Sequence, residues 1–82
     1  MMLKLFQITA EDREPMFVAA RSSHRAGTIF VVYEDKAGRP ITPFTVERVD
    51  NKLPAGLRFG LDDYLKHGSQ GVVILALGWR AK

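Results

Sequence analysis

Residues 22–40 read Ser22-Ser23-His24-Arg25-Ala26-Gly27-Thr28-Ile29-Phe30-Val31-Val32-Tyr33-Glu34-Asp35-Lys36-Ala37-Gly38-Arg39-Pro40, and two folds compete for them. A helix is favoured by its ends and its spacing. Ser22 and Ser23 offer hydroxyls that accept an orphan backbone N–H at a helix start. Ala26, Ile29, Phe30 and Tyr33 recur at i, i+3, i+4 and i+7, one stripe of a helix. Gly38 suits the left-handed residue after a helix, and Pro40 stops continuation. A strand is favoured by Thr28-Ile29-Phe30-Val31-Val32-Tyr33, all β-formers, with Asp35-Lys36-Ala37-Gly38 as a hairpin turn. Gly27 weakens the helix by about 1 kcal/mol. Caps and spacing agree with each other and propensity is the weaker guide, so a helix is expected over 23–37. Were 28–33 a strand instead, the chain would be a small all-β barrel.

The flanks supply a sheet. Residues 3–9 read as a strand, 10–15 as a polar turn and 16–21 as a second strand, together an antiparallel hairpin. Residues 44–49 read as a third strand, with Pro40 and Pro43 preventing an earlier start in a central position. Residues 51–60 hold a proline and two glycines and read as loop. Residues 61–67 form a short helix, with Asp62 and Asp63 in the first turn, Lys66 and His67 in the last, and Gly68 at the end, as the helix dipole favours. Residues 72–77 are a fourth strand closed by Gly78. The expected architecture is α+β: about four antiparallel strands, one main helix and one short helix, forming a single domain over residues 1–82.

These strands are apolar on both faces. Leu3 and Leu5 oppose Phe6 and Ile8; Met16 and Val18 oppose Phe17 and Ala19; Val72, Ile74 and Ala76 oppose Val73, Leu75 and Leu77. Such a sheet demands cover on both sides. The main helix covers one face. The short helix and the loop cover part of the other, and what is left is expected to be closed by that loop, by a second copy of the chain or by another protein.

Composition narrows the function. The chain has 82 residues, 46% hydrophobic and 26% charged, which builds a core but a thin one. It contains no cysteine, which excludes disulfides, thiolate metal sites and thiol catalysis. Twelve Lys and Arg against nine acids give a net charge of +3, but the bases are scattered and form no run. Nucleic-acid binding requires a contiguous basic stripe, so it stands as the alternative to protein binding. The apolar start ends at Gln7, too soon for a signal peptide, and the run 72–77 is far too short to span a membrane. The expected location is the cytoplasm.

No constellation of catalytic residues emerges. Ser22-Ser23-His24 are sequence neighbours and do not face one another on a helix. Asp63 and His67 are i, i+4 partners that stabilise a helix and lack a nucleophile. Asp62 and Asp63 are adjacent and diverge. Neither GxxxxGK[ST] nor GxGxxG occurs. No cofactor, no metal and no enzymatic activity are expected. Arg58, Phe59, Tyr64, Trp79 and Arg80 lie in or near loops, and aromatics beside arginine are common anchors of protein interfaces. These five are the candidate contact patch, although Trp79 would serve equally well to close the edge of the core.

The strand carrying Phe17-Val18-Ala19-Ala20-Arg21, the serine-capped helix, the strand Phe44-Thr45-Val46-Glu47 and the terminal Gly78-Trp79 resemble, in size and layout, small accessory proteins encoded by bacteriophages and prophages. Such proteins often bind and inhibit one host protein, such as a CRISPR component or a pilus motor. The resemblance implies a non-enzymatic binder that modulates a host protein in the host cytoplasm. It transfers no functional residue.

Overall fold

The contested stretch is helical. Ser23–Lys36 forms α1 in the computed structural model, which describes residues 2–11, 13–75 and 78–82. The Ser22 backbone is extended (φ −152°, ψ 164°), and its hydroxyl accepts from the Arg25 N–H at 3.2 Å, satisfying one orphan donor. At the other end Gly38 takes a left-handed conformation (φ 75°). That turn lets the Arg39 N–H reach the Glu34 carbonyl and the Gly38 N–H reach the Asp35 carbonyl, both at 3.0 Å. This paired return is a Schellman cap, and it satisfies carbonyls that the helix leaves without partners. The β-forming side chains do not prevail because the apolar stripe has a sheet to pack on: Ala26 and Phe30 are buried there, while Val31 and Val32 stay on the outer side. An all-β barrel is excluded.

The remaining elements are β1 (Lys4–Ala10), β2 (Met16–Ala20), β3 (Phe44–Arg48), a single 3₁₀ turn at Ala55–Leu57, α2 (Leu61–His67), β4 (Gly71–Leu75) and β5 (Trp79–Ala81). The strands make one open antiparallel sheet in the order β3-β1-β2-β4-β5. Among the described residues the sheet has five strands, where about four were expected. The additional one pairs Leu75 with Trp79, Ile74 with Arg80 and Val73 with Ala81. Three residues with one strong β-former give no periodic signal, so the sequence hid it. The expected fourth strand ran on through Ala76 and Leu77, which lie outside the described residues.

Alternation along the strands sorts side chains as the sequence implied. Phe6, Ile8, Val18, Ala20 and Val72 meet α1, with the Phe44 ring tilted at 55° against Phe30, centroids 4.7 Å apart. On the other face Leu3, Leu5, Ala19, Val73 and Trp79 pack with Leu61 and Leu65 of α2 and with Val49. The Leu3 N–H donates to the Leu65 carbonyl at 2.8 Å and the Val49 N–H to the Leu5 carbonyl at 2.9 Å, tying α2 and the segment just after β3 to the start of β1. Farther along the same face, Gln7, Thr9, Thr45 and Glu47 alternate with the buried residues and turn toward water. The buried apolar cluster on each face is thus covered from within the chain, while the polar end of the second face is open to water.

Candidate binding surfaces

The candidate patch is built on the segment between β3 and α2. Leu53 packs into the core beneath it, and the 3₁₀ turn closes through Leu57 N–H to Pro54 carbonyl and Arg58 N–H to Ala55 carbonyl bonds of 2.9 and 3.1 Å. Gly60 then adopts φ 77°, which only glycine takes without strain, and α2 begins. The bend leaves the Phe59 ring 85% exposed.

Trp79 fixes this loop from below. Its indole Nε1–H donates to the Leu57 carbonyl at 2.7 Å, and its ring meets Phe17 edge-on at 5.3 Å and 88°. Trp79 is only 8% exposed. It packs as a core residue, its apolar ring against Phe17 and its one donor on a carbonyl within the fold.

Of the five candidate residues, the structure gathers Phe59, Tyr64 and Trp79 around one shallow hollow of about 720 Å³, with Asp63 and His67 on its wall. Tyr64 is half-buried, and its hydroxyl donates to the Ser69 carbonyl at 3.0 Å. Arg58 sits beside the hollow, 4.0 Å from the Asp62 carboxylate. Arg80 does not join them. It pairs with Ile74 on β4, one residue out of phase with Trp79, so it lies on the α1 side of the sheet.

A second concave surface escaped the sequence reading. A groove of about 500 Å³ runs between α1 and the β4–β5 edge. Arg25, Ile29, Val32 and Lys36 supply the helical wall, and Val72 and Lys82 supply the strand side. The spacing 25, 29, 32, 36 is a helix stripe, but residues beyond 70 complete the site only through the fold. The Gln70 side-chain oxygen accepts from the Arg21 N–H at 3.2 Å, which pins the strand side to the end of β2. Tyr33 stands between two cations: the Lys82 ammonium lies 5.3 Å and the Arg39 guanidinium carbon 5.8 Å from its ring centroid. The Lys82 hydrogen bond pulls the Tyr33 hydroxyl pKa below its ordinary value; slight burial opposes this, and the charges of Lys82 and Arg39 add to it.

The strongest electrostatic feature is buried. Glu34, in the last turn of α1, is 0% exposed and ion-paired with Arg13 and Arg39. Arg39 Nε donates to Glu34 Oε2 at 2.8 Å, and Arg13 Nη2 donates to the Pro40 carbonyl at 2.9 Å. The cluster joins the β1–β2 turn, the end of α1 and the chain leaving it. The two guanidinium groups also offset the cost of placing a carboxylate near a helix C-terminus. Asp50 makes a smaller junction. Burial pushes its carboxyl pKa up, but hydrogen bonds and charge from Arg48, with the Asp50 and Leu5 N–H groups, outweigh burial and hold it below the usual range.

The polar residues weighed for catalysis have structural partners or stand apart. Ser22 is occupied as the cap, His24 is exposed, and no hydrogen bond or ion pair joins Asp63 to His67. Among the described residues no three His, Asp or Glu side chains gather in a way that could hold a metal ion. Likewise, no helix among them is long and apolar enough to cross a membrane. Comparison of the chain with protein-family models, with curated proteins and with solved structures finds no match.

Proposed function

We propose that this domain is a non-enzymatic protein-binding module and that the Phe59 loop is its contact surface. One observation carries the reading: an aromatic ring 85% exposed on a loop that is itself anchored, through Leu57, to a buried tryptophan. A large apolar ring in water gains on burial in a partner's pocket. A backbone already fixed loses little entropy when that happens, which is how preorganised surfaces bind tightly. Arg58 and the hollow beside Tyr64 extend the ring into a mixed apolar and charged patch of the kind that forms interface anchors. Following the resemblance to phage accessory proteins, the partner class is a host protein and the place the host cytoplasm.

The test is a photocrosslinking side chain at position 59, with position 45 on the polar end of the sheet as the control. A discrete protein adduct from position 59, absent from position 45, is expected. Excess unlabelled wild-type protein should compete it away, and Phe59→Ala protein should not. Equal competition by both would overturn the proposal.

A further inference from the structure

We propose that the groove between α1 and the β4–β5 edge is a second docking site, and that its occupant is an acidic peptide segment of a partner protein carrying one apolar side chain. This does not rest on the Phe59 surface, which is formed by a different loop.

The rim of the groove is cationic. Arg25 stands near the start of α1, Lys36 at its end, and Lys82 across from them beyond β5; all three are exposed, and no carboxylate side chain lines the groove. The lining between them is apolar: Ile29 and Val32 from the helical wall, the latter 47% exposed, and Val72 from the strand side. Thr28 and Gln70 add neutral polar groups. An apolar seat ringed by cations complements a hydrophobic side chain flanked by carboxylates. The dimensions agree. Arg25 and Lys36 are separated by about 16 Å along the helix at 1.5 Å per residue, the reach of roughly five residues of extended chain.

Two other occupants fit less well. A single-stranded nucleic acid stacks its bases on aromatic faces. The ring at this groove is Tyr33, which already carries the Lys82 and Arg39 cations, and the rest of the apolar lining is aliphatic. A second copy of this chain carries the same net charge of +3 and would approach a cationic rim against repulsion.

The experiment is a titration of the isotope-labelled full chain, followed by backbone amide NMR, with the peptide Glu-Glu-Glu-Leu-Glu-Glu-Glu. Saturable shifts are expected at Thr28, Val32, Gln70, Gly71 and Lys82, weakening as salt is raised. The combined variant Arg25→Glu, Lys36→Glu and Lys82→Glu should lower the affinity by about tenfold or more. Should that variant fail to fold, Val32→Ser alone should weaken binding through loss of the apolar seat. Phe59→Ala should leave this binding unchanged, which separates failure of this site from failure of the Phe59 surface. Shifts centred elsewhere, equal binding of a peptide with glycine for leucine, tighter binding of oligothymidylate at the same amides, or self-association through this face would each overturn the proposal.

Discussion

The indole N–H of Trp79 donates a 2.7 Å hydrogen bond to the carbonyl of Leu57, 22 residues earlier in the chain. This bond places the exposed Phe59 in relation to the core. The two residues belong to elements that share no local sequence, yet one sets the position of the loop carrying the other.

Trp79→Phe should retain most of the ring burial and lose the donor. We expect destabilisation of about 1 kcal/mol, because one part-buried carbonyl loses its partner. Hydrogen exchange should quicken at Leu57 and Arg58 more than at Val73 in the sheet. Trp79→Ala should cost about 3–5 kcal/mol, a large share of the roughly 4–12 kcal/mol expected for a domain of this size. Thermal unfolding followed by circular dichroism checks both values.

Glu34→Gln should destabilise strongly. It leaves the Arg13 and Arg39 guanidinium groups facing each other without their shared carboxylate. Breaking a fully buried pair costs about 3–5 kcal/mol; that is the upper bound here, since the Arg39 side chain is 46% exposed. Replacing all three residues with apolar side chains of similar volume should recover most of the loss. A urea midpoint for the triple variant as low as that of Glu34→Gln would contradict the argument.

Asp50 should shape the acid limb of the stability curve. Its carboxyl is held below the ordinary range in the folded chain, so its contribution is fully present above the unfolded pKa and fades as pH falls through the folded value. Asp50→Asn should therefore lower stability at neutral pH and flatten the decline below about pH 4, the ordinary aspartate range. Urea denaturation at neutral and acid pH measures the slope directly.

Gly27→Ala should stabilise. An added methyl would meet the Phe44 ring at 3.7 Å and Val46 at 4.0 Å, ordinary packing distances. The helix interior favours alanine over glycine by about 1 kcal/mol, which for a domain of this size raises Tm by about 4–8 °C. Gly68→Ala should do the opposite, because its methyl would come within 2.7 Å of the Tyr64 carbonyl and ring. A lower Tm for Gly27→Ala, or an unchanged one for Gly68→Ala, would show that these packing readings are wrong.

Much of the architecture was legible in local patterns. Ser22, the stripe from Ala26 to Tyr33, and Gly38 marked α1 against a run of β-forming residues, because caps and periodicity report the backbone more directly than propensity does. Alternation in the first two strands divided Leu5 from Phe6 and Phe17 from Val18 onto the faces where they are found. The short helix from Leu61 to His67 was marked by its charges and its closing glycine. Strand β5 was not legible, since three residues contain too little periodicity to be distinguished from loop. Trp79 was ambiguous for a related reason: its environment depends on Phe17 and Leu57, neither of them near in sequence.

Read alone, then, the sequence determined the helices, the two-sided apolar strands and the α+β class, because each follows from residues within a turn or two of one another. Only the tertiary structure decided that the apolar cluster on each sheet face is covered from within the chain, that Glu34 is enclosed by Arg13 and Arg39, and that Arg25, Lys36 and Lys82 border one groove. Those relationships join residues far apart along the chain. They arise when the strands take the order β3-β1-β2-β4-β5, a choice made by packing the whole core at once and not by any local stretch of it.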